Sequence, residues 1–356
     1  MNRIKVIFWV LLSVSHLSLA ANIAGPTEKN NNLEDKKFQP GEMIMHHITD
    51  SHEWHILDWK GKHVSIPLPI IVFHKDKGLE FFMSSKFNHG KNVYRGYKMD
   101  HGHIIAVNEA GEKDYIESQK IWDFSITKNV FSLFFSIVII LLVFIKAGNL
   151  YKQKPHNTPK GFWNFLELMI LFVRDDIAKP AIGEKNYHRF LPFLLTVFFF
   201  IWLNNLLGLV PLFPGGANLT GNIAVPMILA GMVFIITTIS GKKTYWKHIF
   251  AMPGVPKPVL LILTPVEIIG MLLKPFVLMI RLFANITAGH IIILSFFSLI
   301  FIFGEINPVA GYGASIMSVS FVIFMSFLEL LVAFLQAYVF TLLAAIYFGS
   351  AVEEEH

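Results

Sequence analysis

Two long apolar segments near the carboxyl end constrain the fold more than any other feature of the chain. The first runs from Val259 to about Phe303 and the second from Ala314 to about Phe348, and no turn residue breaks the second one. A helix of about 36 residues extends ~54 Å, whereas the hydrocarbon core of a bilayer is only ~30 Å thick. Both segments are therefore predicted to be steeply tilted membrane helices. Such a tilt suits a pair of helices that lies along a curved partner.

The composition indicates a polytopic membrane protein of the all-α class. Of the 356 residues, 54% are hydrophobic and 34 are Phe, far above the usage of a soluble domain. Apolar positions recur at helical spacing from Phe162 to Ile177, which predicts an amphipathic helix on the interface or packed on another subunit. With the two long segments there are about five predicted transmembrane helices, the other three being Val130–Ile145, Phe190–Leu212 (which carries Asn204 and Asn205) and Ile223–Ile239.

The lysines fix a predicted orientation. One cluster follows the first span and a second lies between the third span and Val259 (Lys146, Lys152, Lys154 and Lys160, then Lys242, Lys243, Lys247 and Lys257). Positive residues beside a span mark its cytoplasmic side. The chain is thus expected to be a multi-pass membrane protein with its N-terminal extension outside the cytoplasm and its C-terminus cytoplasmic. An exported extension of this size would suit a bacterium with an outer membrane, which would put the chain in the inner (plasma) membrane and the extension in the periplasm.

Three domains are predicted. Residues 1–21 have two basic residues, a short apolar core and the small residues Ser18 and Ala20, which together indicate a cleaved signal peptide; an uncleaved anchor is the alternative. Residues 22–123 are polar and form a small exported β-rich domain. Residues 124–356 form the membrane domain.

A hairpin is predicted inside the exported domain. The β-rich run Val64–Phe73 is followed by a turn at Lys75–Gly78 and then by Leu79–Met83. Pro67 and Pro69 are expected to confine the first of these strands to the edge of a sheet, because proline donates no ladder hydrogen bond.

Metal sites and other cofactors are not predicted. The chain has no cysteine, which excludes disulfides and thiolate ligands. A metal site near His52, His55, Asp50 and Asp58 is conceivable. Histidines on exposed domains rarely mean anything so specific, however, so no metal is expected.

Polar residues inside the last two segments mark the candidate site. Arg281 lies in an apolar run, where a charge costs from a few up to ~10 kcal/mol unless it meets water or a partner. Glu267 and Lys274 share its helix face at intervals of seven, and Asn285 lies one turn further on. Single polar residues often act as contacts between helices, and Arg281 by itself could be a structural residue of that kind.

The last segment carries Glu329 and Gln336, again seven apart. Two facing helices that together contain Arg, Asn, His, Glu and Gln are typical of a proton path. If the two helices are antiparallel, two residues that lie at the same height, one on each helix, have residue numbers whose sum is nearly constant. Arg281 with Gln336 and His290 with Glu329 give 617 and 619, so both pairs can be level. His290 would lie roughly 13 Å from Arg281 and about 180° around the helix. Either the two residues serve different faces, or the helix unwinds near Gly289.

These motifs resemble subunit a of the F-type ATP synthase. The resemblance covers roughly residues 124 to 356 and rests on motifs in the family's order: Arg281–Asn285, Thr287–His290, Leu328–Glu329 and Leu335–Phe340, with Phe165–Leu168, Trp202–Pro211 and Glu353–His356 in support. It implies a non-catalytic subunit that conducts protons through two offset half-channels beside a rotating ring. The implied partners are the c-subunit ring, b-type peripheral stalk subunits, the soluble ATPase head and the lipid bilayer, with no nucleic acid.

The resemblance also implies a role for each candidate residue. Arg281 would meet the ring carboxylate, and Asn285 and Gln336 would line the route. His290 and Glu329 would be a titratable pair, and Glu267 the acid on the cytoplasmic side. Two features depart from the family: Asn222 stands where many members have an acid, and the exported domain lies outside the common core. The sequence leaves open whether the coupling ion is H⁺ or Na⁺.

Two other functions remain at this stage. One is a secondary transporter for a small anion, with Arg281 as the substrate clamp. The other is a scaffold with a ligand-binding exported domain. Transporters usually show internal repeats and broken helices, whereas this sequence has no repeat and an unbroken last segment.

Overall fold

The computed structural model divides into two compact units. The first comprises Met1–Phe134 with Leu207–Asn218, and the second Phe135–Leu206 with Leu219–His356. The predicted signal peptide, the polar lead before Gln39 and the terminal residues 354–356 lie outside the described part. The structure describes residues 39–59, 62–100, 102–108, 110–153, 160–210, 213–252 and 255–353.

The first unit contains three small antiparallel sheets. Strand β1 pairs with β2, β5 pairs with β6, and β3 lies between β4 and β7. Among the described residues, two short α-helices and one 3-10 helical turn, Ser84–Phe87, accompany them. The elements are α1 Pro40–Ile48, β1 Glu53–Trp59, β2 Lys62–Pro67, β3 Pro69–His74, β4 Gly78–Met83, β5 Tyr97–Asp100, β6 His103–Ala106, α2 Tyr115–Ser118 and β7 Ile121–Asp123.

The predicted β-hairpin is confirmed, but the prediction that its first strand lies at the edge of a sheet is wrong. Strands β3 and β4 pair from His74 with Gly78 outward, and Gly78 closes the turn at a φ of 83°. Leu68 separates β2 from β3, and β3 is a central strand. Pro69 is tolerated there because it is the first residue of the strand. It takes part through its carbonyl, which accepts a hydrogen bond from the Ile126 amide at 3.0 Å.

Hydrogen bonds attach this unit to the start of the first long helix, α3 (Lys128–Gln153). The Asp50 carboxylate accepts a hydrogen bond from the Asn129 amide at 3.0 Å, and the Ser51 carbonyl accepts one from the Lys128 amide at 2.9 Å. Both amides belong to the first turn, where helix donors have no partner within the helix. The β-rich domain therefore caps the helix that follows it.

The helices of the second unit account for the predicted spans. Within the described residues, four helices are long and apolar enough to cross a membrane, and α7 with α8 forms a fifth candidate that is bent by 104°. About five spans were expected, which agrees with this range. The helices beyond α3 are α4 Phe162–Phe172, α5 Lys179–Ile182, α6 Tyr187–Leu209, α7 Ala224–Ser240, α8 Lys243–Phe250, α9 Lys257–Ile306 and α10 Pro308–Val352.

The predicted amphipathic helix packs on helices of its own chain. A π-helical turn, Val173–Ala178, joins α4 to α5, and the Lys179 amide bonds to the Arg174 carbonyl. Pro180 follows and has no amide to continue the regular α pattern. The Phe172 ring lies 5.7 Å from Tyr338 of α10 and 6.4 Å from Phe198 of α6. The apolar stripe thus belongs to the core of the second unit.

One residue separates α9 from α10, which makes both helices longer than predicted. Asn307 is extended (φ −159°, ψ 129°) because the proline at position 308 disfavours the α conformation before it. Its side chain caps α10 by accepting a hydrogen bond from the Val309 amide at 2.9 Å. Gly304 and Gly311 do not end the helices; they allow close approach, since a Cβ at Gly311 would lie 2.8 Å from the Gly304 Cα.

The hairpin has the antiparallel register that the sequence predicts. Gly304 lies against Gly311, the Phe296 ring lies 3.8 Å from Phe321, and the Lys274 ammonium lies 5.4 Å from the Tyr347 ring centre. The index sums of these pairs stay between 615 and 621, close to the predicted 617 and 619. The level of each residue on one helix therefore identifies its neighbours on the other.

Candidate functional site

Arg281 lies on an exposed part of α9. Its neighbours Val277 and Ile280 are also exposed, at 52% and 42%. Among the described residues, the Arg281 guanidinium has no hydrogen bond or ion pair. A charge in a membrane-spanning helix needs a partner or water. Its planar fork is consequently available to a carboxylate on another molecule.

Asn285 and Gln336 differ in their surroundings. Asn285 is exposed one turn beyond Arg281, as predicted from their spacing. Gln336 lies on α10 with only 5% of its surface exposed. The register of the hairpin brings Gln336 to the level of Arg281. Arg281 therefore has an exposed amide one turn away on its own helix and a buried amide at its level on α10.

The carboxylate of Glu329 is buried against α9. Both of its oxygens are inaccessible and have no hydrogen-bond partner within the described part of the chain. The carboxylate lies over Gly289, where a Cβ would contact Oε1 and would lie 3.0 Å from Cδ. Glycine at this position leaves the room that the acid occupies. An acid without a protein partner needs a proton or water at this place.

His290 directly follows Gly289 and is partly buried. The structure thus brings the Glu329 side chain against the residue next to His290, as the level pair predicts. Helix α9 is continuous from Lys257 to Ile306, so the alternative of local unwinding near Gly289 is wrong. A regular helix places His290 and Arg281 on opposite sides of α9. Of the two alternatives, the one in which these residues serve different faces of the helix therefore remains.

Glu267 stands apart from the other candidates. It is partly buried on α9, roughly 21 Å along the axis from Arg281. Lys274 lies between them and is engaged with the Tyr347 ring. Along the helix axis, Glu267 and His290 therefore lie on opposite sides of Arg281. The structure brings it into contact with none of the other five predicted site residues.

Several buried polar groups belong to the same region, and sequence reasoning gave them no role. The Thr220 hydroxyl donates to Asn205 Oδ1 at 2.7 Å, and Asn205 Nδ2 donates to the Ala333 carbonyl at 3.4 Å. Ala333 lies one turn beyond Glu329 on α10. The Thr287 hydroxyl, two residues before Gly289, is buried and has no hydrogen-bond partner among the described residues. Buried polar atoms of this kind are usually satisfied by water.

The signal for these groups was weak. Asn204 and Asn205 stood out as amides in an apolar span, and Asn204 Oδ1 is also buried without a partner in the described structure. Threonine is common in membrane helices and usually bonds to its own backbone, as Thr237 does with the Val233 carbonyl. Only the tertiary contacts distinguish Thr220 and Thr287 from that ordinary case.

The conceivable metal site near His52 stays untested, because the side chains of His55 and Asp58 lie outside the described part of the structure. His52 is 3% exposed, and its Nε2 lies 3.2 Å from Asp123. A different group, His74 with Asp76 and Glu117, has metal-ligand spacing. The Lys120 ammonium lies 2.7 Å from Asp76 and 2.8 Å from Glu117, and its hydrogen bond lowers the pKa of Asp76. His74 Nδ1 accepts a hydrogen bond from the Asp76 amide, and its Nε2 lies 3.1 Å from Glu117.

The fold and site together define a polytopic helical membrane protein with ionisable groups along its final hairpin. The family model described as the ATP synthase A chain matches residues 130–349. The chain belongs to the ATP synthase subunit a family. A second family model, described as a domain of unknown function, matches residues 43–124.

Curated relatives named ATP synthase subunit a support this membership. The protein of Chloroherpeton thalassium is 44% identical over 238 residues, covering 66% of this chain and 68% of the relative. That of Chlorobium phaeobacteroides is 45% identical over 242 residues, with the same coverage of 66% and 68%. A relative from Anaeromyxobacter is 39% identical over 269 residues, covering 72% of this chain and 62% of its own length. Neither an anion transporter nor a scaffold is indicated by these relatives.

Proposed function

We propose that this chain is the stationary, non-catalytic membrane subunit of an F-type ATP synthase and conducts protons beside a rotating c-subunit ring. The coarse assignment follows from its family, whose members carry that subunit's name. The finer assignment concerns the residues of the α9–α10 hairpin. It is supported most directly by the contrast between an exposed, unpaired Arg281 and a buried Glu329 carboxylate at Gly289.

Arg281 has the chemistry to separate two proton paths. A guanidinium that meets a carboxylate in a low-dielectric site favours the ionised form of that acid by Coulomb attraction. A ring carboxylate would therefore lose its proton on reaching Arg281 and regain one after passing it. The fixed positive charge also repels a proton that would cross directly. Asn285, exposed one turn away, would line the same contact surface.

The two acids lie on either side of Arg281 along α9. Glu329, at the level of Gly289, is about 12 Å away in one direction, and Glu267 is about 21 Å away in the other. This order suits two half-channels that open on opposite sides of the membrane. His290, Glu329 and the buried groups Thr287 and Asn205 would serve one of them, and Glu267 the other. Gln336, at the level of Arg281, would lie where the two half-channels meet.

The orientation and partners follow from the same proposal. The C-terminus would lie in the cytoplasm and residues 22–123 in the periplasm of a bacterium, with the chain in the inner membrane; the lysines beside the spans support this orientation. Residues 124–356 would contact the c-subunit ring, the b-type peripheral stalk subunits and the ATPase head. Copurification of a ring and head with this chain would support the motor, whereas a free chain that takes up an anion would contradict it.

The replacement Arg281→Ala tests the assigned role. Proton-driven ATP synthesis in membrane vesicles should be abolished, while the detached head continues to hydrolyse ATP. Arg281→Lys should restore little, because a compact ammonium is more strongly hydrated and lacks the planar fork. Arg174→Ala is the matched control, since Arg174 is already paired with Asp175 at 2.8 Å on the chain's own surface. Near-normal synthesis by an assembled Arg281→Ala complex would show that the role is wrongly assigned.

A further inference from the structure

The β4–β3–β7 sheet of the first unit presents large apolar side chains on its outer side. Alternation along β3 buries Ile70 and Val72 in the core and turns Phe73 outward, 41% exposed. Strands β4 and β7 continue this side. We call it the aromatic sheet face, and it consists of Phe73, Leu79 (68% exposed), Phe81 (62%), Met83 (36%), Trp122 (64%) and Phe124 (57%).

These residues form one continuous surface. Phe73 pairs with Leu79 on one side and with Trp122 on the other. Side chains directly opposite each other on one face have Cβ atoms about 4.5–5.5 Å apart. The Trp122 and Phe124 rings lie 6.3 Å apart. An exposed apolar surface of this kind marks a contact with a membrane or a partner rather than ordinary solvent.

The chain itself points to the membrane as the occupant. Phe124 is only four residues before Lys128, where the membrane-spanning helix α3 begins. Four residues reach at most ~14 Å, and the first turn of α3 is hydrogen-bonded to Asp50 and Ser51 of the same unit. The aromatic sheet face therefore ends within a short distance of the hydrocarbon boundary. Further along α3, Phe134 is 59% exposed, so the apolar surface resumes on the helix.

The residue types and charges fit a lipid interface. Tryptophan favours the headgroup level, and Trp, Phe and Leu are the apolar residues of proteins that lie on membranes. The turn between β3 and β4 is exposed and carries Lys75 and Lys77, whereas its Asp76 is paired with Lys120 at 2.7 Å. These two exposed lysines at the rim would attract anionic headgroups. We propose that the aromatic sheet face rests in the interfacial layer of the bilayer that α3 crosses.

The absence of cysteine from the chain makes a direct test possible. Leu79→Cys and Phe81→Cys variants of the full-length protein would be labelled with an environment-sensitive fluorophore and reconstituted in liposomes of phosphatidylglycerol and phosphatidylethanolamine. Glu112→Cys, at an exposed position outside the aromatic sheet face, is the matched control. Quenching is measured with lipids that carry a nitroxide at the headgroup and with aqueous iodide. These exposed positions tolerate replacement without disturbing the core.

The probes at positions 79 and 81 should emit at shorter wavelength than the control and lose most of their emission to the lipid nitroxide, with little effect of iodide. The control should respond to iodide alone. A probe at position 79 that behaves like the control would overturn the proposal. Protection from iodide without quenching by lipid would also overturn it, because the face would then be covered by a second copy of the chain.

Discussion

Replacing Gly289 by alanine should impair proton transfer without preventing assembly. The Glu329 carboxylate lies over Gly289, and an added methyl group would contact its Oε1. It would also lie 3.0 Å from Cδ and 3.3 Å from Cγ of the same side chain. Ordinary carbon contacts are about 3.5–4.0 Å, so the acid must withdraw by up to ~1 Å. A carboxylate buried without a protein partner has few alternative positions.

The size of the effect follows from this overlap. Forcing an extra methyl group into a packed site typically costs about 1–3 kcal/mol. If that strain falls on the step in which Glu329 passes its proton, the rate of conduction decreases roughly 5- to 150-fold. A smaller loss is expected if Glu329 rotates toward the partly buried side of the hairpin. The backbone itself is not strained, because Gly289 lies within a regular helix.

The assay is passive proton conduction through membrane vesicles from which the ATPase head has been removed, together with proton-driven ATP synthesis in intact complexes. Gly270→Ala is the matched control, because Gly270 lies in the same helix and a Cβ there meets nothing within 4 Å. This control should leave both rates unchanged. Glu329→Asp withdraws the carboxylate by one methylene and should partly restore conduction in the Gly289→Ala background.

Two results would refute the reasoning. Conduction by Gly289→Ala that equals the Gly270→Ala control would show that the position of the Glu329 carboxylate does not limit proton transfer. Purely additive losses in Gly289→Ala with Glu329→Asp would show that the two sites do not interact.

Two further predictions concern pairs of residues. Exchanging His290 and Glu329 (His290→Glu with Glu329→His) should recover proton-driven synthesis that either single replacement loses; losses that simply add in a double-mutant cycle would disprove a shared relay. In the β-rich domain, burial raises the pKa of Asp123, but hydrogen bonds from His52 and Ser125 outweigh it and hold the pKa below 3.8. The stabilisation is thus present above about pH 3.8 and is lost as the pH falls through the lower folded pKa. Asp123→Asn should therefore increase proteolysis of the domain at neutral pH and match the wild type in strong acid, and an advantage of the wild type that persists in strong acid would contradict the pair.

The level of each polar residue on the final hairpin could be predicted from sequence. Antiparallel helices have a constant rise per residue, so one correct pairing fixes all the others. The contacts of Gly289 with Glu329 and of Lys274 with Tyr347 follow that register. The sequence did not decide between a regular and an unwound helix near Gly289. A glycine permits both conformations, and only packing of the Glu329 side chain over it shows why glycine is needed in a regular helix.

The errors arose where a local rule was used to predict a tertiary neighbour. A proline excludes a hydrogen bond at one residue, but it says nothing about the partners of the rest of its strand. Strand β3 therefore lies between two neighbours although Pro69 begins it. Similarly, the last two helices were expected to stop at about Phe303 and to begin again at Ala314, which leaves Gly304 and Gly311 between them. In the structure they are contact points between the helices, and Asn307 with Pro308 makes the whole turn.

Asn205 and Thr220 show why part of a membrane site stays hidden in the sequence. Each is an ordinary polar residue, one in a span and one in the following loop. Their hydrogen bond at 2.7 Å, and that of Asn205 with the Ala333 carbonyl, connect both to α10 one turn from Glu329. Such groups gain a role only through proximity to a buried acid that needs a polar route. A proton path is therefore encoded partly in rare charged residues, which a sequence reveals, and partly in common polar ones, whose relevance depends on the fold.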